Sequence, residues 1–372
     1  MKIGILGTRG VPPRYGGFET FVAELGTRLV RRGHDVTIYC RAQSAEGRGQ
    51  EIWNGIRRVV VPAIHSKYFE TVSHTLLSAI DAMRRSFDVA LMCNAANAFT
   101  IPLLRAAHVP VAINVDGIER RRREWNIAGR AVYLAGEALA ATFANRVVAD
   151  ADVIAEYYRT QFGIEPETIP YGANFPAEPD SDVLARLGLG PRNYLLYVSR
   201  FEPENNPLEV VEAYEHLRSA IRDLRSPLVM VGDALYDKPL LKQLHTHRSE
   251  SILFPGALYG ADYRTLQRNA LIYIQATEVG GTHPALIEAM ASGGCVLAHD
   301  TPENREVGGD AVGYFRFRPE ETLSESVRLL LASPETADRM RRKARERVAA
   351  RYDWEAVTDA YERLFREISG TS

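Results

Sequence analysis

Residues 7–17 form a loop rich in glycine, arginine and proline, between an apolar run at 2–6 and a helix-like segment at 18–32. Glycines let backbone N–H groups approach an anion closely, and the start of a helix adds partial positive charge. Arg9 and Arg14 could pair with phosphate oxygens. A glycine-rich turn with solvated arginines would have the same sequence pattern. On this evidence the loop is therefore only a candidate anion-binding site.

A second candidate site follows the strand predicted at 194–198. Arg200 stands at the carboxyl end of that strand, where doubly wound sheets bind their ligands. The position predicts that its guanidinium neutralises a diphosphate. The alternative is a surface ion pair with Glu202 or Glu204, which would contribute little to stability.

A third candidate site is the glycine loop at 278–283, which leads into a helix beginning at Pro284. Proline suits the first helical turn because its missing N–H has no partner there. The free N–H groups of Gly281, Thr282 and His283 would cradle an anion. Glu288, one turn further on, would accept hydrogen bonds from ribose hydroxyls. Alternatively, His283 only caps the helix and Glu288 is solvated.

The elements that must position these loops alternate between strand and helix, which predicts parallel sheets covered on both faces. A chain of 372 residues is long for a single core. The stretch 175–191, rich in Pro, Asp and Gly, is the predicted boundary. We therefore predict an α/β protein with two Rossmann-like doubly wound domains, 1–175 and 176–353, a closing helix within 354–372, and a ligand cleft between the domains.

Composition excludes several classes of protein. A net charge of −2 argues against a nucleic-acid-binding protein. Three widely spaced cysteines favour a reducing compartment and offer neither a disulfide framework nor a zinc site. The sequence has no apparent signal peptide and no apolar run of about 20 residues, which predicts a cytoplasmic location.

A nicotinamide-dependent oxidoreductase is the main competitor for the first loop. Its fingerprint compresses G-x-G-x-x-G into a short turn and places an acid about 20 residues later. Here the loop runs on to Gly17, and the second predicted strand is followed by Arg41. The spacing therefore disfavours this class.

In this order and spacing, the three segments resemble a retaining GT-B glycosyltransferase of family four, over essentially the whole chain. The segments 32–36, 149–150 and 169–173 add to the likeness. The stretches 7–20, 114–119, 199–206 and 278–290 are similar to a bacterial rhamnosyltransferase-like branch that builds polysaccharide repeat units. This resemblance implies a dTDP-rhamnose donor and a saccharide or lipid-diphosphate-linked saccharide acceptor at the inner membrane face.

The resemblance also implies roles for individual residues. Catalytic roles fall to Asp116, Arg200 and Glu288, with Asp116 as a candidate base or as a cap of the turn at Gly117. The donor-binding set is Gly16, Gly17, Arg200, Asn205, Gly280, Gly281, Thr282, His283 and Glu288. The acceptor-binding set is Arg9, Arg14, Tyr15 and Glu119. The implied transfer retains the anomeric configuration, and we expect it to use neither a metal ion nor a cofactor.

Three positions depart from the family pattern. The glutamate expected eight positions before Glu288 is Gly280, and Glu278 comes two positions too early. The lysine expected five positions after Arg200 is Asn205, and a histidine of the first domain is Asp116. These departures keep a non-catalytic, donor-binding scaffold open, and a nucleotide-sugar 2-epimerase would share the architecture.

Four consecutive arginines at 120–123 are followed by Trp125 and by an apolar segment at 131–143. A run of arginines is usually a solvated face. Because an apolar segment follows, a second interpretation is contact with a membrane surface or a lipid phosphate.

Overall fold

The computed structural model describes residues 1–13, 16–42, 51–64, 69–123, 125–175, 181–221, 224–234, 237–317 and 322–370. Contacts between these residues divide the chain into two compact units. Unit 1 comprises 1–121, 125–172 and 354–372, and unit 2 comprises 122–124 and 173–353.

Unit 1 is built on a largely parallel sheet. In chain order its strands are β1 Lys2–Leu6, β2 Asp35–Arg41, β3 Ile52–Trp53, β4 Ile56–Val61, β5 Val89–Cys93, β6 Val111–Asn114, β7 Arg146–Ala149 and β8 Glu167–Thr168. Among the described residues their order is β3-β4-β2-β1-β5-β6-β7-β8, and only β3 runs antiparallel to its neighbour. The central strands β1, β5 and β6 are almost wholly buried, as expected for a parallel sheet covered on both faces.

In the described part of unit 1, five helices connect these strands: α1 Gly17–Arg31, α2 Phe69–Ala82, α3 Ile101–Ala106, α4 Ile127–Phe143 and α5 Asp152–Phe162. Local sequence explains several of their ends. The Asn126 side chain caps α4 by accepting the N–H of Gly129. Helix α5 ends where Gly163 adopts the left-handed conformation, with φ of 66°.

Unit 2 contains a second parallel sheet. Its strands are β9 Leu195–Val198, β10 Leu228–Val231, β11 Ile252–Gly256, β12 Ile272–Gln275, β13 Val296–His299 and β14 Gly313–Phe315. In the part of unit 2 that the structure describes, their order is β11-β10-β9-β12-β13-β14. The chain therefore builds the sheet to one side of β9 first and then continues on the other side with β12. Loops after β9 and β12 meet at this reversal, where such sheets bind ligands.

The helices of unit 2 are α6 Val183–Arg186, α7 Pro207–Ala220, α8 Lys238–Thr246, α9 Gly260–Asn269, α10 Pro284–Ala291, α11 Pro302–Gly308, α12 Leu323–Leu331 and α13 Pro334–Arg351. Its core joins the sheet residues Leu195, Leu228, Ile272 and Leu297 to side chains of α7, α8, α12 and α13.

The last helix, α14 Trp354–Ser369, belongs to unit 1 although it follows unit 2 in the chain. It packs against α1, where the ring of Trp354 is inclined by 26° to that of Phe21 at 6.4 Å between centroids. The guanidinium of Arg32 pairs with Glu355, at 2.7 Å between Nη2 and Oε2, and with Asp359 at 2.5 Å. An apolar face and a charged edge thus join α14 to unit 1.

Candidate functional site

The loop after β9 carries Arg200, whose Nη1 lies 3.2 Å from Oε1 of Glu202. The Arg200 side chain is 37% exposed, so it can still reach a ligand. The buried ring of Phe201 anchors the next position. Both interpretations of Arg200 therefore remain: it forms the surface ion pair, and its position leaves it accessible to an anion.

Asn205, predicted to bind the donor, is only 4% exposed. Its Nδ2 donates to the carbonyl of Arg200 at 2.7 Å, and its own carbonyl accepts from the Tyr197 hydroxyl at 2.7 Å. The amide is thus used within the loop, and it offers no positive charge. In this structure Asn205 shapes the backbone that carries Arg200.

Two hydrogen bonds join the loop after β12 to the loop after β9. The N–H of Glu278 donates to the carbonyl of Glu204 at 2.9 Å, and Nδ2 of Asn206 donates to the carbonyl of Ala276 at 2.8 Å. Asn206 has φ of 55°, a left-handed conformation that asparagine tolerates. The structure therefore brings together two loops whose residues lie about 75 positions apart in the sequence.

The glycine loop then passes into α10, whose first residue is Pro284. Thr282 is buried, and Gly280 lies under the imidazole of His283. A Cβ at position 280 would stand 2.4 Å from Cε1 of His283. Glycine is therefore required for this packing, which gives position 280 a steric role in place of the glutamate expected from the family pattern.

His283 precedes α10 and is uncharged at neutral pH. Burial lowers the pKa of its imidazole to about 4, and the positive charge of Arg122 lowers it further in the same direction. With the imidazole uncharged, attraction of an anion to this end of α10 would rest on the backbone N–H groups and the helix dipole.

Glu288 lies on α10, where the hydroxyl of Tyr263 donates to its Oε2 at 2.7 Å. Gln267 in turn donates to the Tyr263 oxygen at 2.7 Å. Burial, with the Glu288 charge as the next cause, raises the pKa of Tyr263 well above its usual value, so the hydroxyl stays a donor. This chain of bonds orients the carboxylate that is predicted to accept from ribose hydroxyls.

Arginines of the 120–123 run are engaged by carboxylates. In unit 2, Nη1 of Arg122 lies 3.0 Å from Oε1 of the fully buried Glu204, and Nη2 of Arg123 lies 2.7 Å from Oε2 of Glu278. In unit 1, Arg120 donates to the Tyr157 hydroxyl at 2.9 Å and pairs with Glu137 at 3.3 Å.

These contacts give arginines of the run defined partners, while Arg121 and Arg123 remain exposed, and contact of the run with a membrane stays a prediction. Three of its guanidinium groups are already paired, and two of them lie against the loops after β9 and β12. The partners lie between 17 and 155 positions away, so no local sequence signal could identify them. The pairing also shows that Glu278 is bound to Arg123 in this structure.

In unit 1, Gly16 caps α1 and Gly17 is its first residue. The carboxylate of Glu19, in the first turn, accepts the N–H of Arg9 at 3.0 Å. It lies so close to Gly16 that a Cβ there would stand 2.8 Å from Oε2. A carboxylate at this helix end competes with the diphosphate predicted for Gly16 and Gly17, because both are anions.

Arg14 and Tyr15, predicted to bind the acceptor, lie outside the described residues. Arg9 is placed by its backbone, since its carbonyl accepts the N–H of Arg41 at 3.0 Å. The first loop of unit 1 is thus held at Arg9 by both Glu19 and β2.

Asp116 follows β6 with φ of 52°, and its N–H donates to Oδ1 of Asn114 at 3.0 Å. The same asparagine donates from Nδ2 to the hydroxyl of Tyr361 on α14 at 2.8 Å. Burial raises the pKa of the Cys93 thiol well above its usual value, and the charges of Glu19 and Asp116 add to this effect.

The charges of both Asp116 and Glu19 thus act on Cys93 at the end of β5. Glu119 lies in the short 3-10 helix Glu119–Arg121, and its N–H donates to the carbonyl of Gly117 at 3.1 Å. The turn after β6 is thus held in place from α14, and it presents Asp116 half-buried. The role of Glu19 was missed at the sequence level because an acid in a first turn usually indicates only helix-dipole stabilisation.

Within the described ranges, no helix is long and apolar enough to cross a membrane. The same ranges contain no group of three or more His, Cys, Asp or Glu side chains arranged to hold a metal ion.

Two family models match the sequence. The model described as Glycosyltransferase Family 4 matches residues 15–175, and the model described as Glycosyl transferases group 1 matches residues 185–347. Together they cover most of the chain. A comparison with curated proteins gives no match.

Solved structures with the same fold include two synthases and HepE. Sucrose-phosphate synthase from Thermosynechococcus elongatus has 18% identity, a TM-score of 0.81 and full coverage of both chains. HepE of Anabaena in complex with UDP-glucose has 14% identity and a TM-score of 0.78, covering 98% of this chain and 99% of that one. An α,α-trehalose-phosphate synthase (UDP-forming) from Burkholderia vietnamiensis has 10% identity and a TM-score of 0.75, covering 99% and 100%. The predicted α/β fold with two Rossmann-like domains is confirmed.

Proposed function

Because the chain belongs to the GT-B glycosyltransferases of the group 1 and family 4 type, we propose that it transfers rhamnose from dTDP-rhamnose to a saccharide acceptor, with retention of configuration. The observation that supports the proposal is the meeting of two loops at the reversal point of unit 2. There Arg200, the N–H groups of 281–283 and the oriented carboxylate of Glu288 belong to neighbouring elements.

Unit 2 would bind the donor through its nucleoside diphosphate. Departure of the diphosphate leaves negative charge on its terminal phosphate. Fixed N–H groups before α10 and the guanidinium of Arg200 stabilise that charge without reorganising. Since these groups carry the charge stabilisation, we propose a reaction that does not depend on a metal ion. Glu288 would hold the sugar of the nucleoside. In a dTDP donor that sugar is a deoxyribose, and the Glu288 carboxylate would accept a hydrogen bond from its 3′-hydroxyl.

The proposed reaction exchanges one bond to the anomeric carbon for another. The bond to the phosphate oxygen breaks, and a bond to the acceptor oxygen forms on the same face of the sugar. The acceptor's hydroxyl proton passes to the departing phosphate. For unit 1 we propose acceptor binding through Arg9, Asp116 and Glu119, with a lipid-linked saccharide as acceptor.

The solved relatives support a nucleotide-sugar donor but leave its base open. HepE is described in complex with UDP, with UDP and glucose, and with UDP-glucose. The dTDP-rhamnose proposal comes from the resemblance of the loops at 199–206 and 278–290 to the rhamnosyltransferase-like branch. UDP-sugars are therefore the second donor class to test.

A second candidate function is a donor-binding scaffold without transfer activity. It is favoured by the pairing of Glu278 with Arg123 and by the use of Asn205 within its own loop. Neither the acid nor the cation expected from the family pattern is then available for catalysis. A 2-epimerase would differ from both by consuming the donor without any acceptor.

The first test is a thermal-shift screen against dTDP-rhamnose, UDP-glucose, GDP-mannose and the corresponding nucleoside diphosphates. A ligand at 100 times its Kd stabilises the native protein by about 2.7 kcal/mol. We expect one nucleotide to raise the unfolding midpoint of the wild type, and Arg200→Ala and Glu288→Gln to reduce that shift. Arg328→Ala is the matched control, because Arg328 forms an exposed ion pair with Glu325 on α12.

Transfer is then measured with the selected donor and saccharide or lipid-linked acceptors, and NMR reports the configuration of the product. No shift with any nucleotide would contradict donor binding. A shift without transfer to any acceptor would favour the scaffold. Release of nucleotide without an acceptor would favour the epimerase.

A further inference from the structure

Helix α2 of unit 1 exposes an apolar face. Its exposed large side chains, with the neighbouring Met83, occupy one side of the helix at helical spacing: Phe69 61%, Val72 41%, Leu76 37%, Leu77 41%, Ile80 39% and Met83 38%. The opposite side, which packs on the unit, consists of small or polar residues: His74, Thr75, Ser78, Ala79 and Ala82. This arrangement is the reverse of a normal surface helix, whose apolar stripe faces the core.

Helix α4 has exposed apolar residues as well. Ile127 is 86% exposed, Val132 62%, Leu134 43% and Phe143 42%. Both α2 and α4 contact α3 and the 3-10 helix Ala95–Thr100, so they lie on the same side of the unit 1 sheet. Large apolar side chains exposed together on one side of a unit mark a site of interaction.

The helices α2, α3 and α4 expose more positive than negative charge. The acids of α2, α3 and α4 are Glu70, Asp81 and Glu137, and each is paired with an arginine: Arg41, Arg85 and Arg120. Three further exposed arginines lie on the same helices or directly after them: Arg84, Arg105 and Arg130. The surface therefore combines long apolar side chains with excess positive charge.

We propose that this α2–α4 surface, formed by the exposed apolar residues of α2 and α4 with these three arginines, docks on an anionic lipid bilayer. A helix with an apolar face and basic flanks lies in the plane of the membrane interface, with aliphatic side chains among the acyl chains and arginines at the headgroups. A second copy of the chain fits less well, because a symmetric contact would bring the arginines of both copies together.

Membrane docking by this surface does not depend on the transfer reaction proposed above. If that reaction uses a lipid-linked acceptor, docking would bring the protein to the bilayer that contains the acceptor. The α2–α4 surface is distinct from the arginine run at 120–123. Residues of the α2–α4 surface have no part in the site of unit 2, so vesicle binding and nucleotide binding are measured independently.

The test is co-sedimentation of the purified chain with vesicles of phosphatidylcholine alone or with phosphatidylglycerol added. We expect binding only to the anionic vesicles and weaker binding at high salt. Leu77→Asp/Ile80→Asp should weaken binding at least tenfold, and Arg84→Glu should weaken it severalfold. Leu329→Asp is the control, because Leu329 on α12 of unit 2 is 55% exposed and lies outside the surface.

Thermal unfolding and the nucleotide-induced shift show whether each variant is folded. Variants that keep wild-type midpoints and lose vesicle binding support the proposal. The proposal would be overturned if the wild-type protein did not bind anionic vesicles. It would also be overturned if the α2 double variant bound these vesicles as well as the wild type does. A wild type that self-associates in solution, with a monomeric double variant, would show that the surface joins two copies instead.

Discussion

At the scale of single residues, Gly280 is the position where the sequence departs from the family pattern and the structure gives a steric reason. The imidazole of His283 occupies the space that any side chain at 280 would need. The glutamate of the family pattern is therefore absent at a position that packs against His283, which is uncharged at neutral pH. Residues 280 and 283 together set the path of the backbone whose N–H groups face the predicted anion.

We predict that Gly280→Ala weakens nucleotide diphosphate binding about tenfold or more. The new Cβ would push the ring of His283 away and shift the N–H groups of 281–283, and a displaced anion cradle loses part of its hydrogen bonding. Isothermal titration with the nucleotide selected in the screen measures the effect.

Gly190→Ala is the matched control for this prediction, since a Cβ there meets its nearest neighbour, Asn193, at an ordinary 3.6 Å. Equal affinity of Gly280→Ala and wild type would mean that this loop does not carry the diphosphate.

At the scale of elements, α14 shows how a helix distant in sequence completes unit 1. Trp354 is 3% exposed, lies over Phe21 and has the guanidinium of Arg28 at 5.5 Å from its ring. Gly172 packs so closely that a Cβ there would stand 2.6 Å from the indole. The helix also reaches the turn after β6 through Tyr361 and Asn114.

We predict that Trp354→Ala destabilises unit 1 by about 3–5 kcal/mol, the usual cost of truncating a buried aromatic ring. Urea denaturation followed by circular dichroism measures it, and two transitions are expected if the units unfold separately.

Leu329→Ala, at an exposed site of α12, should change stability by less than about 0.5 kcal/mol. An unchanged transition in Trp354→Ala would mean that α14 adds nothing to the core of unit 1.

Much of the element pattern could be predicted from the sequence, because short apolar runs such as 228–231 and 296–298 are buried strands with glycine or polar residues at their ends. The loop that carries Arg200 and the loop that leads into α10 were placed correctly at strand ends for the same reason. Helix α2 was not predicted, because it buries small and polar residues and so gives an inverted pattern. The pairs Arg122–Glu204 and Arg123–Glu278 join residues 82 and 155 positions apart, and only the tertiary fold determines them.

At the scale of the whole molecule, acid stability depends on histidines that are buried without charge. His74 on α2 is fully buried; burial lowers its pKa to about 4, and the charge of Arg41 acts in the same direction. In an unfolded chain the histidine pKa is about 6.5. Between these values the unfolded chain binds a proton that the folded protein does not, so stability falls as the pH falls through this window.

We predict that the free energy of unfolding drops less between pH 7 and pH 4 in His74→Gln than in the wild type, by up to about 3 kcal/mol. Urea titrations at several pH values measure the difference.

His216→Gln, at an exposed site on α7, should follow the wild-type pH dependence. If the His74→Gln and wild-type curves stay parallel, burial of His74 does not contribute to acid sensitivity.

The return of α14 to unit 1 has a consequence for biosynthesis. Residues 173–353 leave the ribosome before the helix that completes unit 1. At about 5–20 residues per second this interval lasts roughly ten to forty seconds. During that time the ring of Phe21 lacks the cover of Trp354 and Tyr361, while unit 2 is already available to fold. The unit that begins the chain is thus the last to be finished.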